Sequence, residues 1–224
     1  MELLVQQLSG SAAKQMFSAK SLRSLCSYNA ARQTIVAAGG VAALVAVARG
    51  ADVVARRDAG LVLACLALSP HTEAVASSAG GVEVMVAAAQ QLSDPEVLEA
   101  AAAALEALVA CDDGRSVIQS IGVPACVQLL GYDLPQSVQL HGLVVLAALS
   151  IDAEGQVTVC ASAAASPLVQ STRSKNVEIQ LAAISILCQL TNQAHELPML
   201  IEAGVVPPLV AHLRSADVDA VAAA

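Results

Sequence analysis

The hydrophobic and polar positions of this chain repeat at a fixed interval. Apolar residues occur at the spacing of helical faces, and small residues interrupt them at regular points. The interruptions lie 41 residues apart, at Gly40, Gly81, Gly122, Ala163 and Gly204. Because a period near 40 residues is typical of stacked units that share one continuous core, the pattern predicts a solenoid.

Each repeat contains three predicted helices. The first complete copy places them at Asn29 to Ala38, Val41 to Ala48 and Val53 to Leu68. Gly39-Gly40 separates the first two, since glycine adopts the left-handed conformation that closes a helix. The period predicts one domain over residues 1–224, with partial repeats at 1–28 and 193–224 and full repeats at 29–69, 70–110, 111–151 and 152–192.

The third helices share a pattern of leucines and small residues. Two leucines three positions apart lie on one face, and a small residue precedes the first by four positions. Such a face fills a core and lets a neighbouring helix approach closely. The first leucines are Leu22, Leu63, Leu105, Leu146 and Leu187, and the small residues are Ser18, Ala59, Ala101, Gly142 and Ala183.

Ala-Gly-Gly-Val-x-x-Leu-Val at residues 38–45, together with Ile-Gly-Val-Pro at residues 121–124, resembles the armadillo repeat of beta-catenin and importin-alpha. The resemblance implies an all-α, right-handed superhelical armadillo-type solenoid. HEAT repeats are the alternative, but they usually have two helices and no Gly-Gly-Val-Pro type of junction.

In that family the third helices line a concave groove, where an Asn ladder holds an extended peptide and Trp residues pocket its side chains. Neither ladder is present in this chain, and only Gln189 offers a comparable amide. An importin-like role with an extended basic peptide is therefore disfavoured. The family's Asn positions fall on Ser24, Cys65, Ala107, Ala148 and Gln189, and its Trp positions on Lys20, Leu61, Ala103, Val144 and Ser185.

The substituted groove predicts a shallow apolar floor, which suits an amphipathic helix better than an extended strand. Arg57 and Glu99 join the ten positions above as candidate protein-binding residues. The alternatives are that these residues only pack, or that partners bind another surface.

Charge changes this picture only slightly. Residues 1–57 carry seven basic and two acidic side chains, whereas the rest carries four and 17, so a basic end joins an acidic body. Its field could orient a partner, or the charges could simply solvate helix faces. With few aromatic residues nearby, we expect no nucleic-acid partner. The uncharged run from Leu134 to Ile151 contains Pro135 and polar residues, so we expect no membrane insertion.

Residues 1–34 have the Ser- and Arg-containing character of a transit peptide, but they keep the repeat phase, which argues against a removable leader.

The six cysteines form no Cys-x-x-Cys pair and predict free thiols, mostly buried, in a reducing compartment. The four histidines are isolated, so we expect no metal, cofactor or catalytic site. Cys111-Asp112-Asp113-Gly114 is interpreted as a polar turn between repeats.

These features predict a non-enzymatic scaffold or adaptor that binds partner proteins in the cytoplasm. The family resemblance implies a cytoskeletal or ciliary assembly, with the substrate-binding region of a U-box ubiquitin ligase or a vacuolar membrane adaptor as alternatives. The terminal segments, Leu3-Leu4-Val5 and Val218 to Ala224, lack the polar faces of solenoid caps. We therefore expect either a longer native chain or a larger assembly that covers these ends.

Overall fold

Regular structure in this computed structural model is helical throughout the residues that it describes, which are 1–69, 75, 78, 80–91, 94–192 and 197–211. The chain divides into two compact units, residues 1–125 and 126–224. The single-domain division and its repeat boundaries stay predictions. The expected helix Glu73 to Ala79, apart from residues 75 and 78, and the stretch Val218 to Ala224 lie outside the described residues.

The first unit begins with two helices, continues with a short first, a second and a longer third helix, and then has the second and third helices of the following group. Asp52 and Asp94 begin two third helices, and each carboxylate accepts a backbone N–H of the first turn. The helices are α1 (Glu2–Gln7), α2 (Ala12–Leu25), α3 (Asn29–Ala37), α4 (Gly40–Ala48), α5 (Val53–Ala67), α6 (Gly81–Ala89), α7 (Pro95–Val109) and α8 (Asp112–Val117), then a π-helical turn (Ile118–Gly122) and α9 (Val123–Gln128), in which residues 126–128 belong to the second unit.

The second unit continues the same order. Asp152 and Asn176 cap two of its helices, with the Asp152 carboxylate 2.7 Å from the Gly155 nitrogen. A further helical stretch covers 206–211. The complete helices are α10 (Gln136–Leu149), α11 (Ala153–Ala161), α12 (Ala165–Ser171), α13 (Val177–Leu190) and α14 (Leu197–Glu202).

Within each unit the third helices pack side by side. Helix α5 lies between α2 and α7 in the first unit, and α10 packs against α13 in the second. The first leucine of every pair is fully buried and every small residue before it is buried, which confirms the predicted stripe. The second leucine is buried as well, except Leu25, which is half-buried. The core therefore consists of aliphatic side chains between second and third helices.

At three of the junctions between first and second helices, a glycine adopts the left-handed backbone conformation. These are Gly39 (φ 70°), Gly80 (φ 95°) and Gly204 (φ 83°). At the fourth such junction Ala163 adopts the same conformation, with φ 59°. Because its Cβ crowds the neighbouring carbonyl there, this alanine is strained.

The junction at Gly122 differs from the prediction. We expected a break at Gly122-Val123-Pro124, but the chain passes through the π-helical turn directly into α9. Pro124 lacks an N–H and its ring would clash with a carbonyl one turn back in a regular α-helix, and a wider turn relieves this. A Cβ at Gly122 would lie 3.2 Å from Val86 Cγ2, so this glycine serves close approach to α6.

Another prediction corrected by the structure concerns residues 111–114. We interpreted them as a polar turn, but Cys111 precedes α8, and Asp112 and Asp113 form its first turn. Carboxylates are favourable there because the N-terminus of a helix carries a partial positive charge. The acids therefore start a helix.

No single helix in the described part of the chain is long and apolar enough to cross a membrane. Only α3 and α4 together satisfy the length and composition, and they form a pair bent by 89°.

We expect Ala163→Gly to stabilise the protein by about 0.5–1 kcal/mol, because glycine removes the left-handed strain at a smaller cost in unfolded-chain entropy. Gly39→Ala is the matched control, since its Cβ would contact nothing within 4 Å and only the backbone changes. It should lower stability by about 1 kcal/mol. Urea unfolding measures both, and a stabilising Gly39→Ala would contradict the assigned conformations.

We expect Gly142→Ala to destabilise the protein by about 1–2 kcal/mol through overpacking. The new Cβ would lie 2.9 Å from Leu129 Cβ and 3.1 Å from the Cys126 carbonyl oxygen. Gly60→Ala is the helical control, because its Cβ would meet nothing within 4 Å. It should gain about 0.5–1 kcal/mol from helix propensity. Thermal unfolding that shows the same shift for both variants would contradict the close approach at Gly142.

Candidate protein-binding face

The predicted binding residues lie on the side of the third helices that faces away from the buried leucines. We call this side, which the twelve candidate residues mark, the third-helix face. None of the twelve is buried. In the first unit Lys20 and Ser24 are exposed, and Arg57, Leu61, Cys65, Glu99, Ala103 and Ala107 are half-buried; in the second, Val144 and Ser185 are exposed, and Ala148 and Gln189 are half-buried.

Large apolar side chains are exposed on this face in both units. In the first unit Leu68, the residue that closes α5 after Leu61 and Cys65, is 54% exposed. In the second unit Val144, Leu181 and Ile151 are 41%, 50% and 68% exposed. Exposed apolar groups that recur along one face are typical of a surface that binds another molecule.

An ion-pair network connects the three third helices of the first unit. Arg23 of α2 donates to the Asp58 carboxylate of α5 at 3.0 Å and also pairs with Glu96 of α7. Arg57 of α5 donates to Asp94 and to Glu96, both at 2.5 Å. The predicted binding residue Arg57 therefore already forms ion pairs with two acidic residues at the start of the next third helix.

Asp58 was not singled out from the sequence, although it is buried and 4% exposed. An acid in that position is tolerated because the Arg23 guanidinium hydrogen-bonds it. One signal was present, since Asp58 directly precedes the small and apolar residues that continue α5 from Ala59 onward. Its partner lies 35 residues away, so only the packing of α2 on α5 shows the pair.

Asp94 has two roles in the network. Its Oδ1 accepts the backbone N–H groups of Glu96 at 3.1 Å and Val97 at 3.3 Å, which caps α7. The hydrogen bond from Arg57 lowers the pKa of this carboxyl, and the cap and the Arg57 charge act in the same direction against partial desolvation. The same bond raises the pKa of Arg57. The pair therefore stays ionised across the neutral range.

A cavity of about 670 Å³ lies beside this network in the first unit, between α4, α5, α6 and α7. Apolar groups form much of its wall, and Arg49, Arg56 and Glu83 supply charge. Sequence reasoning missed it because its lining comes from four helices. Its size would accommodate a side chain of a bound partner.

Two thiols meet at the floor of the face. Cys65 on α5 donates to the carbonyl oxygen of Cys26 at 3.3 Å, and Cys26 is the residue that closes α2. Arg32 of α3 donates to the same carbonyl at 2.6 Å. The two cysteines are 39 residues apart, which is not the repeat period, so the pair could not be predicted from sequence spacing.

Other chemistry is limited in the part of the chain that the structure describes. It contains no group of three or more His, Cys, Asp or Glu side chains that could hold a metal ion. His141 is half-buried on α10, while His71, His195 and His212 lie outside the described residues. Cys26, Cys126 and Cys160 are buried as expected, but Cys65 and Cys111 are half-buried and Cys188 is exposed.

Comparisons with known proteins agree on the architecture. The sequence profile of a family described as Armadillo-like matches residues 41–221. A search of curated proteins found no match. One similar solved structure is a computationally designed armadillo repeat protein for modular peptide recognition, with a TM-score of 0.73 and 21% identity, over 92% of this chain and 89% of that chain.

Two further solved structures are similar. A designed armadillo repeat protein in complex with the peptide (KR)4 has a TM-score of 0.68 and 21% identity, over 92% of this chain and 89% of its own. The armadillo repeats only protein from Plasmodium falciparum has a TM-score of 0.66 and 17% identity, over 78% of this chain and 79% of its own. At these identities the likeness concerns the fold.

We expect Asp94→Ala to cost about 1 kcal/mol at neutral pH, mainly through the lost cap. Asp94→Asn keeps a capping oxygen and loses only a partly exposed ion pair, so it should cost less than about 1 kcal/mol. Asp52→Ala is the capping control, because the Asp52 carboxylate accepts the Ala55 N–H at 2.8 Å in the same way. Denaturant unfolding at neutral pH measures all three.

The same variants predict a pH dependence. Because the pKa of Asp94 is lower in the folded state than its ordinary 3.8, its stabilising contribution is present above that value. The contribution declines as the pH falls through the folded-state pKa, because the proton then binds the folded carboxyl too. Asp94→Asn should therefore lose less stability than the wild type between pH 5 and pH 2. Parallel acid unfolding curves for the two proteins would contradict this role.

Proposed function

Because the chain belongs to the armadillo-like family, as the match over residues 41–221 shows, we propose that it is a non-enzymatic scaffold that binds a segment of a partner protein on the third-helix face. The all-α armadillo fold expected from the repeat is confirmed. Designed neighbours made for peptide recognition, one of them with a bound peptide, support a peptide or protein as the partner.

The observation that carries the proposal is the set of exposed apolar side chains on or just after the third helices of each unit, on the side opposite the buried leucines. Leu68 directly follows α5 in the first unit; in the second, Val144 and Leu181 lie on α10 and α13, and Ile151 lies two residues after α10. Covering such a side chain contributes at most about 1–2 kcal/mol to a complex, so a partner must cover several of them to offset the cost of association.

The chemistry of the face favours a helical segment. An extended peptide leaves its backbone N–H and C=O groups to be satisfied by the receptor, whereas a helix bonds its own. At the positions where the family resemblance places amides, Cys65, Ala107 and Ala148 supply none, and Gln189 alone has a side-chain amide. We therefore propose an amphipathic helix, whose apolar side chains at positions i, i+3, i+4 and i+7 would contact the floor.

A basic extended peptide is the less favoured ligand. The neighbour bound to (KR)4 accepts alternating Lys and Arg. In this chain Asp58, Asp94 and Glu96 are acids of the first unit that Arg23 and Arg57 already pair. Paired carboxylates attract a basic peptide less than free ones do, since the local field is partly cancelled.

The proposed setting is the cytoplasm, within a cytoskeletal or ciliary assembly. Support for a reducing compartment comes from Cys26 and Cys126, which are buried and lie in no Cys-x-x-Cys pair. The runner-up is a substrate-binding region of a U-box ligase or a vacuolar membrane adaptor. Detection of ubiquitin transfer by the native protein would favour the ligase.

The binding face is tested with a display library of helical peptides selected against the whole chain. We expect peptides that gain helicity on binding and that lose at least about tenfold in affinity for Val144→Asp and for Leu61→Asp, because a buried carboxylate replaces an apolar contact. Circular dichroism of the bound peptide and fluorescence anisotropy measure the two effects.

Val157→Asp is the matched control for Val144→Asp. Val157 is 47% exposed, close to the 41% of Val144, but it lies on the first helix α11. Its variant should bind the selected peptides as the wild type does. Unchanged affinity in both Val144→Asp and Leu61→Asp would contradict binding on the third-helix face, and preferential binding of (KR)4 would contradict a helical ligand.

A further inference from the structure

Cys26, Cys65 and Arg32 form a cluster in the first unit, and only Cys65 of the three belongs to the third-helix face. Cys26 is 3% exposed at the end of α2, while Cys65 is half-buried and reaches the third-helix face. The Cys65 thiol donates to the Cys26 carbonyl oxygen at 3.3 Å, which places the two cysteines side by side where α5 meets the end of α2. The Cys65 sulfur is thus accessible from the third-helix face, whereas the Cys26 sulfur is buried.

Arg32 fixes a positive charge beside these sulfurs. Its Nη1 donates to the Cys26 carbonyl oxygen at 2.6 Å, which anchors the guanidinium at the end of α2. Its Nε is buried and has no hydrogen-bond partner among the described residues. A buried donor without an acceptor is costly, and an anionic sulfur close to the guanidinium would reduce that cost.

We propose that Cys65 and Cys26 form a dithiol that reacts with hydroperoxides, in which Cys65 attacks the peroxide and Cys26 then closes a disulfide. The assignment of roles follows from exposure, because the peroxide reaches the half-buried Cys65 from the third-helix face, whereas Cys26 is covered. The cluster gives this chain a modification site in which the attacking sulfur, that of Cys65, belongs to the third-helix face.

The acidities of the two thiols agree with these roles. The hydrogen bond from Cys26 lowers the pKa of Cys65 to about 6; burial opposes this shift, and Arg32 assists it through its charge and a hydrogen bond. The hydrogen bond with Cys65 and burial raise the pKa of Cys26. These directions make the accessible Cys65 the more acidic thiol of the pair and leave the proton on the covered Cys26.

The reaction balances without a further reagent. The Cys65 thiolate attacks the terminal oxygen of the hydroperoxide, so an S–O bond forms, the O–O bond breaks, and the alkoxide or hydroxide leaves and takes a proton from water. The sulfur is oxidised and the peroxide is reduced. The Cys26 sulfur then attacks the sulfenic sulfur of Cys65, and the departing hydroxide combines with the Cys26 proton to form water.

The test treats the whole chain with equimolar hydrogen peroxide at neutral pH and maps its cysteines by mass spectrometry. We expect the wild type to lose the mass of two hydrogen atoms, with a disulfide between the peptides that contain Cys26 and Cys65. Cys26→Ala should instead accumulate a sulfenic acid at Cys65, which dimedone traps. Cys65→Ala should form no disulfide at Cys26.

Cys188→Ala is the matched control, because Cys188 is an exposed thiol on α13, outside the cluster. Its variant should form the same disulfide as the wild type. Arg32→Gln should reduce the thiolate absorbance at 240 nm, a readout that a purely structural arginine would not change. First oxidation at Cys188 in the wild type, only intermolecular disulfides, or a Cys65 that stays reduced would each overturn the proposal.

Discussion

Close approach of each third helix to the helices beside it is the constraint on which the rest of the structure depends. A small residue one turn before a buried leucine lets a neighbouring helix come near, and the leucine fills the core. Ala59 on α5 and Gly142 on α10 show this in the first and second unit. At Gly142 even one added methyl group would meet the Cys126 carbonyl of the second helix α9 and Leu129 directly after it, so the spacing between these second and third helices has little tolerance.

The same proximity creates the chemistry of the third-helix face. In the first unit it brings Arg23 within 3.0 Å of the buried Asp58, although each side chain belongs to a different repeat. It also brings Cys65 to the end of α2, where Cys26 and Arg32 meet. Aliphatic packing thus sets the distances, and the polar side chains act within them. Neither the ion pairs nor the thiol pair would survive a wider helix spacing.

Junctions between first and second helices are more variable than the core. Left-handed Gly39 and Gly80 turn the chain between helices in the first unit, whereas the π-helical turn before Pro124 replaces a glycine turn altogether. Ala163 performs the turn in the second unit despite its side chain. A junction must redirect the chain, and several backbone conformations can do this. The residues at the junctions therefore differ from repeat to repeat, whereas the residues that face the core do not.

The sequence by itself determined the repeat, the three-helix unit and the positions facing the core, because a period of 41 residues and the leucine spacing depend only on order along the chain. It also predicted that the third-helix face is uncovered, as Val144 and Leu68 show. Only the tertiary structure decided the rest: the partners of Arg57, the cavity among four helices, and the meeting of Cys26 with Cys65. These features depend on distances between side chains that are far apart in the sequence, and the spacing of residues along the chain does not determine such distances.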